Sequence, residues 1–304
     1  LILTLVIGSI QVTRLALDAL EGEQKREENI QSNRYIFDAL GSRKWHKVKN
    51  KPGEYWMGPD ALDIDFKKVQ KLKHVRRIRI DGSTYITGKG LRYLSRVPLE
   101  SNALDTEKLS DSGMHNLAGI KSLKEVRLIN LSKITSGGLT YLKELPNLTR
   151  LELKACKIPK GTLPIISELD GLVSLGLHDS EDIEFDKLTL LAKLPNLSKI
   201  EIKGTGFEQR YMPNLLTLKN LRSLSISCEY VSVDSLKRLT NLQLYQLRIS
   251  ESQINDQELQ DFGKLKSLSL LNLRHCPNLT QSGVEQLQKK LPKCKIEFND
   301  VLLK

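Results

Sequence analysis

Leu145-Pro146-Asn147-Leu148-Thr149-Arg150-Leu151-Glu152-Leu153 is the stretch whose reading decides the architecture of this 304-residue chain. Its apolar positions return as Leu194, Leu197, Ile200 and Ile202, and again as Leu265, Leu268, Leu271 and Leu273. Aligned on the leading apolar residue, the units begin at Leu72, Val97, Ile120, Leu145, Leu169, Leu194, Leu218, Leu239, Leu265 and Leu291, spaced 21 to 26 residues apart. A self-similar period in the twenties marks stacked supersecondary units, none of which can bury its apolar face without a neighbour.

Within each unit the last two apolar residues alternate with period two, which predicts a short strand. A polar turn follows, then an apolar residue (Ile86, Leu109, Ile134, Ile158, Ile183, Phe207, Val231, Ile254 or Leu279), then a run such as Leu139, Leu142 and Leu145 spaced as one face of a helix. Thr87, Thr135 and Thr280 stand at helix starts, with Ser110 and Asn255 at the equivalent place. A side-chain oxygen there accepts a bond from an unpaired first-turn N–H, worth about 1 kcal/mol. Gly90, Gly138 and Gly283 each precede the first apolar helix residue, which predicts a close approach of adjacent helices. Helices are wider than strands, yet both must stack once per unit. The expected fold is therefore an α/β solenoid, curved, with parallel strands on the concave face, helices on the convex face and a helical segment at the N-terminus.

Leu151-Glu-Leu153-Lys-Ala-Cys156 and Leu271-Asn-Leu273-Arg-His-Cys276-Pro-Asn-Leu279-Thr-Gln-Ser-Gly-Val284 resemble the cysteine-containing class of leucine-rich repeat, found in F-box-type substrate receptors and in many bacterial repeat proteins. Ala39-Leu40-Gly41-Ser42-Arg43-Lys44-Trp45, after a charged helix and a hydrophobic start, is similar to the cap that precedes the repeats in membrane-anchored bacterial members. The resemblance spans residues 62 to 298 and implies a leucine-rich repeat solenoid that works by binding. Two features depart from the class. Only Cys156 and Cys276 fall at its cysteine position, and the 21-residue unit from Leu218 with the irregular stretch from Leu239 to Ile249 is expected to bulge or tilt.

The chain divides into an apolar start and charged helix (1–42), a basic N-terminal cap (43–71), the repeats (72–290) and a C-terminal strand cap (291–304). The run Leu1–Ile10 is shorter than the roughly 20 residues a membrane-spanning helix needs. It reads as the end of a membrane anchor or signal segment, with a buried cap helix as the alternative. The first reading makes the protein membrane-anchored or secreted, the second cytoplasmic. Cys156, Cys228, Cys276 and Cys294 lack any C-x-x-C pairing. Buried free thiols are expected, a Cys276–Cys294 bridge is the alternative, and the redox compartment stays open.

The net charge of +11 is concentrated, since the segment from Arg43 to Arg79 carries twelve Lys or Arg against Glu54, Asp60, Asp63 and Asp65. Such a cap suits an anionic membrane surface or an acidic polymer, or else simply keeps the chain soluble. Trp45, Tyr55 and Trp56, interleaved with it, are expected to pack against the first repeat. Nucleic acid would require a stripe of one sign with exposed aromatics along a face. The outward strand positions instead mix signs: Glu125 and Arg127; Arg150, Glu152 and Lys154; Lys199, Glu201 and Lys203; and they lack aromatics. A protein or peptide ligand on the concave face fits that pattern better than a phosphate backbone, which needs many same-sign contacts.

No constellation for chemistry emerges. The five histidines are dispersed without metal-ligand spacing, so neither a metal nor a cofactor is expected. His178-Asp179-Ser180 holds the letters of a catalytic triad, but adjacency on one turn argues against triad geometry. The function expected is a noncatalytic interaction scaffold whose partner-binding residues are Arg127, Arg150, Glu152, Lys154, His178, Lys199, Glu201 and Ser225. Gly176, Ser223, Ser225 and Ser227 are expected to leave room between the charged flanks for a protruding ligand. The alternative is a substrate-recognition subunit of a ubiquitin-ligase-like complex, which requires an F-box helix bundle that residues 1–60 do not resemble.

Overall fold

A computed structural model describes residues 45–47, 51–72, 74–80, 82, 85–204, 206–227, 235, 238–299 and 301–303. The expected N-terminal helical segment, the apolar run Leu1–Ile10, Cys228 and Val231 lie outside the described residues. The strands are β1 (Trp45–Lys47), β2 (Glu54–Met57), β3 (Arg77–Ile80), β4 (Ser101–Asp105), β5 (Glu125–Ile129), β6 (Arg150–Lys154), β7 (Ser174–His178), β8 (Lys199–Lys203), β9 (Ser223–Ser227), β10 (Gln246–Ser250), β11 (Leu270–Arg274), β12 (Lys295–Phe298) and β13 (Val301–Leu303). They form one sheet in sequence order, of which β2 to β12 are eleven parallel strands, and β1 and β13 pair antiparallel at the two margins. This is the leucine-rich repeat solenoid that the period predicts.

Register explains why the leucines recur. Leu151 pairs with Val126 and Leu175, and Leu153 with Leu128 and Leu177, so each inward side chain is covered by its counterparts on both sides. Leu151, Leu175, Ile200, Leu224, Leu247 and Leu271 are fully buried as a result. Complete burial of such a side chain contributes about 1.5–3 kcal/mol. The apolar residues after the turn, among them Ile86, Leu109, Phe207 and Ile254, close the same core from the other side.

The polar letters of the repeat phrase have structural work as well. Asn147 donates from Nδ2 to the Lys121 carbonyl at 2.9 Å, Asn196 to the Asp170 carbonyl at 3.1 Å and Asn220 to the Pro195 carbonyl at 3.0 Å, each bond reaching back one unit. Strands β5, β6, β7, β10 and β11 are each ended by a left-handed residue: Asn130, Ala155, Asp179, Glu251 and His275 all have φ between 48° and 58°. The next position is buried and holds Leu131, Cys156, Ser180, Ser252 or Cys276, so leucine and serine as well as cysteine fill the cysteine position. Cys156, Cys276 and Cys294 are free and buried, which removes the alternative of a Cys276–Cys294 bridge. Burial pushes the Cys294 thiol up to about 11.

The helical side is fastened by an acid one unit upstream of each threonine. Asp111 accepts from Thr135 N at 2.9 Å and Thr135 Oγ1 at 2.6 Å, and Asp256 accepts from Thr280 N and Oγ1 at the same distances. Asp63 does likewise with Thr87, at 3.1 and 2.6 Å, and takes Gly90 N at 2.9 Å. This clamp is why glycine follows. A Cβ on Gly138 would stand 2.1 Å from Asp111 Oδ1, and one on Gly283 would stand 2.1 Å from Asp256. Thr135 and Thr280 also cap their helices by accepting from Gly137 N and Gly283 N, and Asn255 forms a reciprocal capping box with Glu258. Thr87 and Ser110 do not cap, because Thr87 precedes the N-cap Gly88 and Ser110 bonds to Ser112 instead.

Three expectations are corrected. Several of the helical runs wind as 3₁₀ turns, including Lys89–Leu94, Tyr141–Glu144 and Phe185–Lys193. A 3₁₀ turn, with i→i+3 bonds and a rise of about 2.0 Å per residue against about 1.5 Å in an α-helix, covers more length where few residues separate fixed strand ends. The 21-residue unit does not disturb the sheet, since β9 and β10 pair in full register from Ser223↔Gln246 to Ser227↔Ser250. Trp56 does not lie under the first repeat. Alternation in β2 sends Met57 inward and sets Tyr55 against the core, leaving Trp56 on the outward face with the Arg79 guanidinium 5.2 Å from its ring.

One inward position breaks the pattern. Asn102 sits between Ile78 and Val126 in the register, is fully buried, and meets no hydrogen-bonding partner among the described residues at either amide atom. An unsatisfied buried amide costs about 1–3 kcal/mol. Asn102→Leu is therefore expected to raise the urea midpoint, corresponding to about 1–2 kcal/mol; a lowered midpoint would show that the amide is supported. Gly138→Ala should instead lower stability by about 1–3 kcal/mol, because the new methyl group displaces the Asp111 clamp. Gly137→Ala, whose Cβ would find only Thr135 Oγ1 at 3.3 Å and Asp111 Oδ2 at 3.9 Å, is the neutral control in the same melts.

Candidate protein-binding face

The outward residues of the strands align in rows across the sheet. The middle row runs Trp56, Arg79, Ala103, Arg127, Glu152, Gly176, Glu201, Ser225, Arg248, Asn272, Glu297. Beside it, Arg77, Ser101, Glu125, Arg150, Ser174, Lys199, Ser223 and Gln246 form a second row. Lys154, His178, Lys203, Ser227, Ser250 and Arg274 lie in the third. Neighbouring strands are spaced about 4.8 Å apart, so residues one strand apart are within side-chain reach.

That spacing assembles most of the residues singled out from sequence into one chain of contacts. Arg150 Nη1 lies 3.6 Å from Glu125, and Arg127 bridges Glu125 at 2.9 Å and Glu152 at 3.2 Å. His178 continues the chain, with Nδ1 3.5 Å from Glu152 and Nε2 3.7 Å from Glu201. Glu201 then meets Lys199 at 2.5 Å and Lys203 at 3.4 Å. Lys154 stays at the margin and reaches only Asp179, at 3.9 Å. Ser225 lies one strand beyond Glu201 and takes no part.

The space above Gly176 is not open to a ligand, contrary to expectation. A Cβ there would stand 3.3 Å from Glu152 Cγ and 3.4 Å from His178 Nε2, so the imidazole already covers the glycine. Positions two apart in a strand share a face, which is how His178 folds back over Gly176 and lies between two carboxylates. Sequence reasoning did not single out Glu125 and Lys203 as members of the site, although both stand at outward positions. The 24-residue offset to Arg150 and Glu201 was the signal that could have found them.

The carboxylates of the chain are ionised more readily than usual. At Glu125 burial opposes ionisation, but Arg127, the Ser101 hydroxyl and Arg150 outweigh it and hold the carboxyl below its ordinary range. At Glu152 the interaction with His178 is the main cause, reinforced by Arg127 against burial. At Glu201 burial is again the largest influence and is overcome by Lys199, Lys203 and His178. The cations remain open to solvent, with side-chain exposures of 45% for Arg127, 55% for Arg150, 46% for Lys154 and 36% for Lys199. Individual pairs this exposed contribute about 0–1 kcal/mol each.

The triad letters are accounted for otherwise. Ser180 Oγ donates to the His178 carbonyl at 2.8 Å and accepts from Cys156 N at 3.2 Å, while Asp179 turns to Lys154. Among the described residues no group of three His, Cys, Asp or Glu could hold a metal ion. Among the same residues, no helix is long and apolar enough to cross a membrane.

Strand ladder, recurrent core and helical clamp define a leucine-rich repeat protein. The fold is similar to that of an internalin of Listeria monocytogenes, InlF, with a TM-score of 0.50 and 19% identity over 82% of this chain and 74% of that one. Weaker likenesses are to internalin C2 of the same organism (TM-score 0.46, 20% identity, 83% of this chain and 100% of that one) and to a leucine-rich repeat protein of Leptospira interrogans (TM-score 0.41, 16% identity, 76% and 74%). No protein-family model and no curated protein matches the sequence. Similarity at this level of identity speaks for the fold alone.

The lowered carboxyls set an acid limit. A group whose folded pKa lies below its unfolded value contributes stability above the unfolded value, and that contribution disappears as pH falls through the folded one. With an ordinary Glu pKa of about 4.3, the contribution from Glu125, Glu152 and Glu201 is complete above about pH 5 and falls away progressively as pH drops through the lowered folded values. Urea melts from pH 6 to pH 3 should show a steeper acid decline for the natural chain than for Glu152→Gln. Parallel declines would mean that the network carries no linkage.

Proposed function

We propose that the chain is a noncatalytic scaffold whose strand face engages a protein or peptide partner through Arg127, Arg150, Glu152, Lys154, His178, Lys199 and Glu201, with Ser225 beside them. The observation that carries this reading is the cross-strand chain of ion pairs from Arg150 to Lys199, joined through the His178 ring and held by register while its Arg and Lys heads stay open to solvent. Side chains already fixed by neighbours lose little freedom when a partner arrives, a saving of about 0.5–1.5 kcal/mol for each one. Mixed charge in fixed order also gives specificity, since a partner with the wrong pattern meets like charges. The basic cap, where Lys67 and Lys71 are exposed, is read as an accessory contact for an anionic membrane surface. Membrane tethering rests on Leu1–Ile10 and belongs to the same proposal. The ubiquitin-ligase reading gains no support beyond the repeat resemblance.

Affinity capture from the native host tests the scaffold reading. The double variant Arg150→Glu with Lys199→Glu is expected to retain a tenth or less of the partner bound by the natural chain. Lys143→Glu, on the helical side and paired with Glu168, should capture it undiminished. Equal capture by both variants would move the site off the strand face.

A further inference from the structure

Beyond the charge chain, the outward face changes character at β9. Ser223, Ser225 and Ser227 form a trough one strand wide between Lys199, Glu201 and Lys203 on β8 and Gln246, Arg248 and Ser250 on β10. With adjacent strands about 4.8 Å apart, the two walls rise roughly 10 Å from each other. Two of the three hydroxyls are engaged: Ser223 Oγ donates to Gln246 Oε1 at 3.1 Å, and Ser227 Oγ donates to the Glu251 carboxylate. Ser225, 3% exposed at the centre of the trough, has no hydrogen-bonding partner for its hydroxyl among the described residues.

Its neighbour in the middle row is likewise uncommitted. Arg248, partly exposed, makes no ion pair or hydrogen bond among the described residues. The carboxylates on either side are held elsewhere. Glu201 is drawn to Lys199 and Lys203, and Glu297 is paired with Lys295 at 2.9 Å and accepts from Asn272 Nδ2 at 2.6 Å. Arg248 acts on Glu297 only through its field, and Glu251 is occupied by Ser227. A guanidinium without an ion pair among the described residues therefore stands one strand from a buried hydroxyl that has no partner among them, in a trough floored by serines.

We propose that Ser225 and Arg248 form a subsite for an acidic side chain of a protein partner. The guanidinium offers paired N–H donors to a carboxylate, and the serine hydroxyl supplies a further donor beneath it. On one wall Lys199 and Lys203 hold Glu201 between them and leave that wall with one positive charge in excess. The subsite rests on the reading of the strand face as the partner face, and it fixes the chemistry that the partner brings there.

The probe is acetyl-Gly-Gly-Asp-Gly-Gly-amide, compared with its Asn counterpart and with a triglycine that keeps a free C-terminal carboxylate. Binding is followed on the full chain by the Nε–Hε resonances of ¹⁵N-labelled arginine, with the Arg248 signal assigned by its loss in Arg248→Gln. The Asp peptide is expected to shift the Arg248 signal saturably, with at least tenfold weaker response to the Asn peptide. Ser225→Ala should weaken the Asp peptide at least threefold without lowering the thermal midpoint, since the hydroxyl it removes is buried and unpaired. An Arg248 signal that ignores the Asp peptide, responds equally to Asn, or binds unchanged in Ser225→Ala overturns the proposal. Preference for the triglycine would also overturn it, since the ligand would then be a chain terminus. Failure of the subsite is distinguishable from failure of the scaffold reading. Capture of the host partner that is lost in the Arg150/Lys199 double variant but intact in Arg248→Gln removes only the subsite.

Discussion

The molecule depends on a constraint of pitch. Each turn of the chain must advance by one strand spacing on the sheet side and by one helix width on the other, and both must return the same residue types to the same places. Leu151 is dry only because Val126 and Leu175 stand beside it, so the core has no centre and is only as continuous as the register. On the strand side, backbone bonds enforce the advance. On the helical side the aspartate–threonine clamp does so where it occurs, drawing the helix start of one unit onto the acid of the previous one with two bonds and a glycine that allows the approach. The asparagines of the repeat phrase add a third tie between the two layers.

This division of labour explains how the outer face can carry so much charge. Because stability comes from the inward rows and the backward-reaching ties, the outward rows are released from packing. Cross-strand register then becomes a ruler for side chains that are far apart in sequence. Arg127 finds Glu152, and Glu152 finds His178, since a parallel ladder places each next unit's residue beside the last. The same ruler leaves Ser225 and Arg248 adjacent without giving either of them a mate.

Much of this was legible from the sequence, because the signals that set the fold are periodic and local. Leucine spacing named the strand, the alternation named the outward rows, and the threonine and glycine of Thr135-Ser136-Gly137-Gly138 pointed to a helix start pressed against a neighbour. What escaped depended on the third dimension within one face. The reading of Gly176 as open space failed because His178, two residues on, folds over it, a choice of rotamer that composition does not encode. Trp56 was misplaced because the cap strand obeys the same alternation as the repeats, and the cap was read as a lid rather than as another strand. The 3₁₀ winding of Phe185–Lys193 was invisible because i+3 and i+4 spacings share the same apolar letters over so short a run. The aspartates of the clamp were in plain view, yet their role appears only when positions one period apart are compared.

The reversed strands at the margins bear on how copies of the chain meet. A stack of parallel strands is an open-ended template, and an unprotected rim invites the next molecule to continue the series. Here β1 and β13, three residues each, run against their neighbours, so among the described residues each margin presents a short ribbon of opposite polarity instead of the hydrogen-bonding pattern of an interior unit. Growth into a filament by simple addition of solenoids is thereby disfavoured.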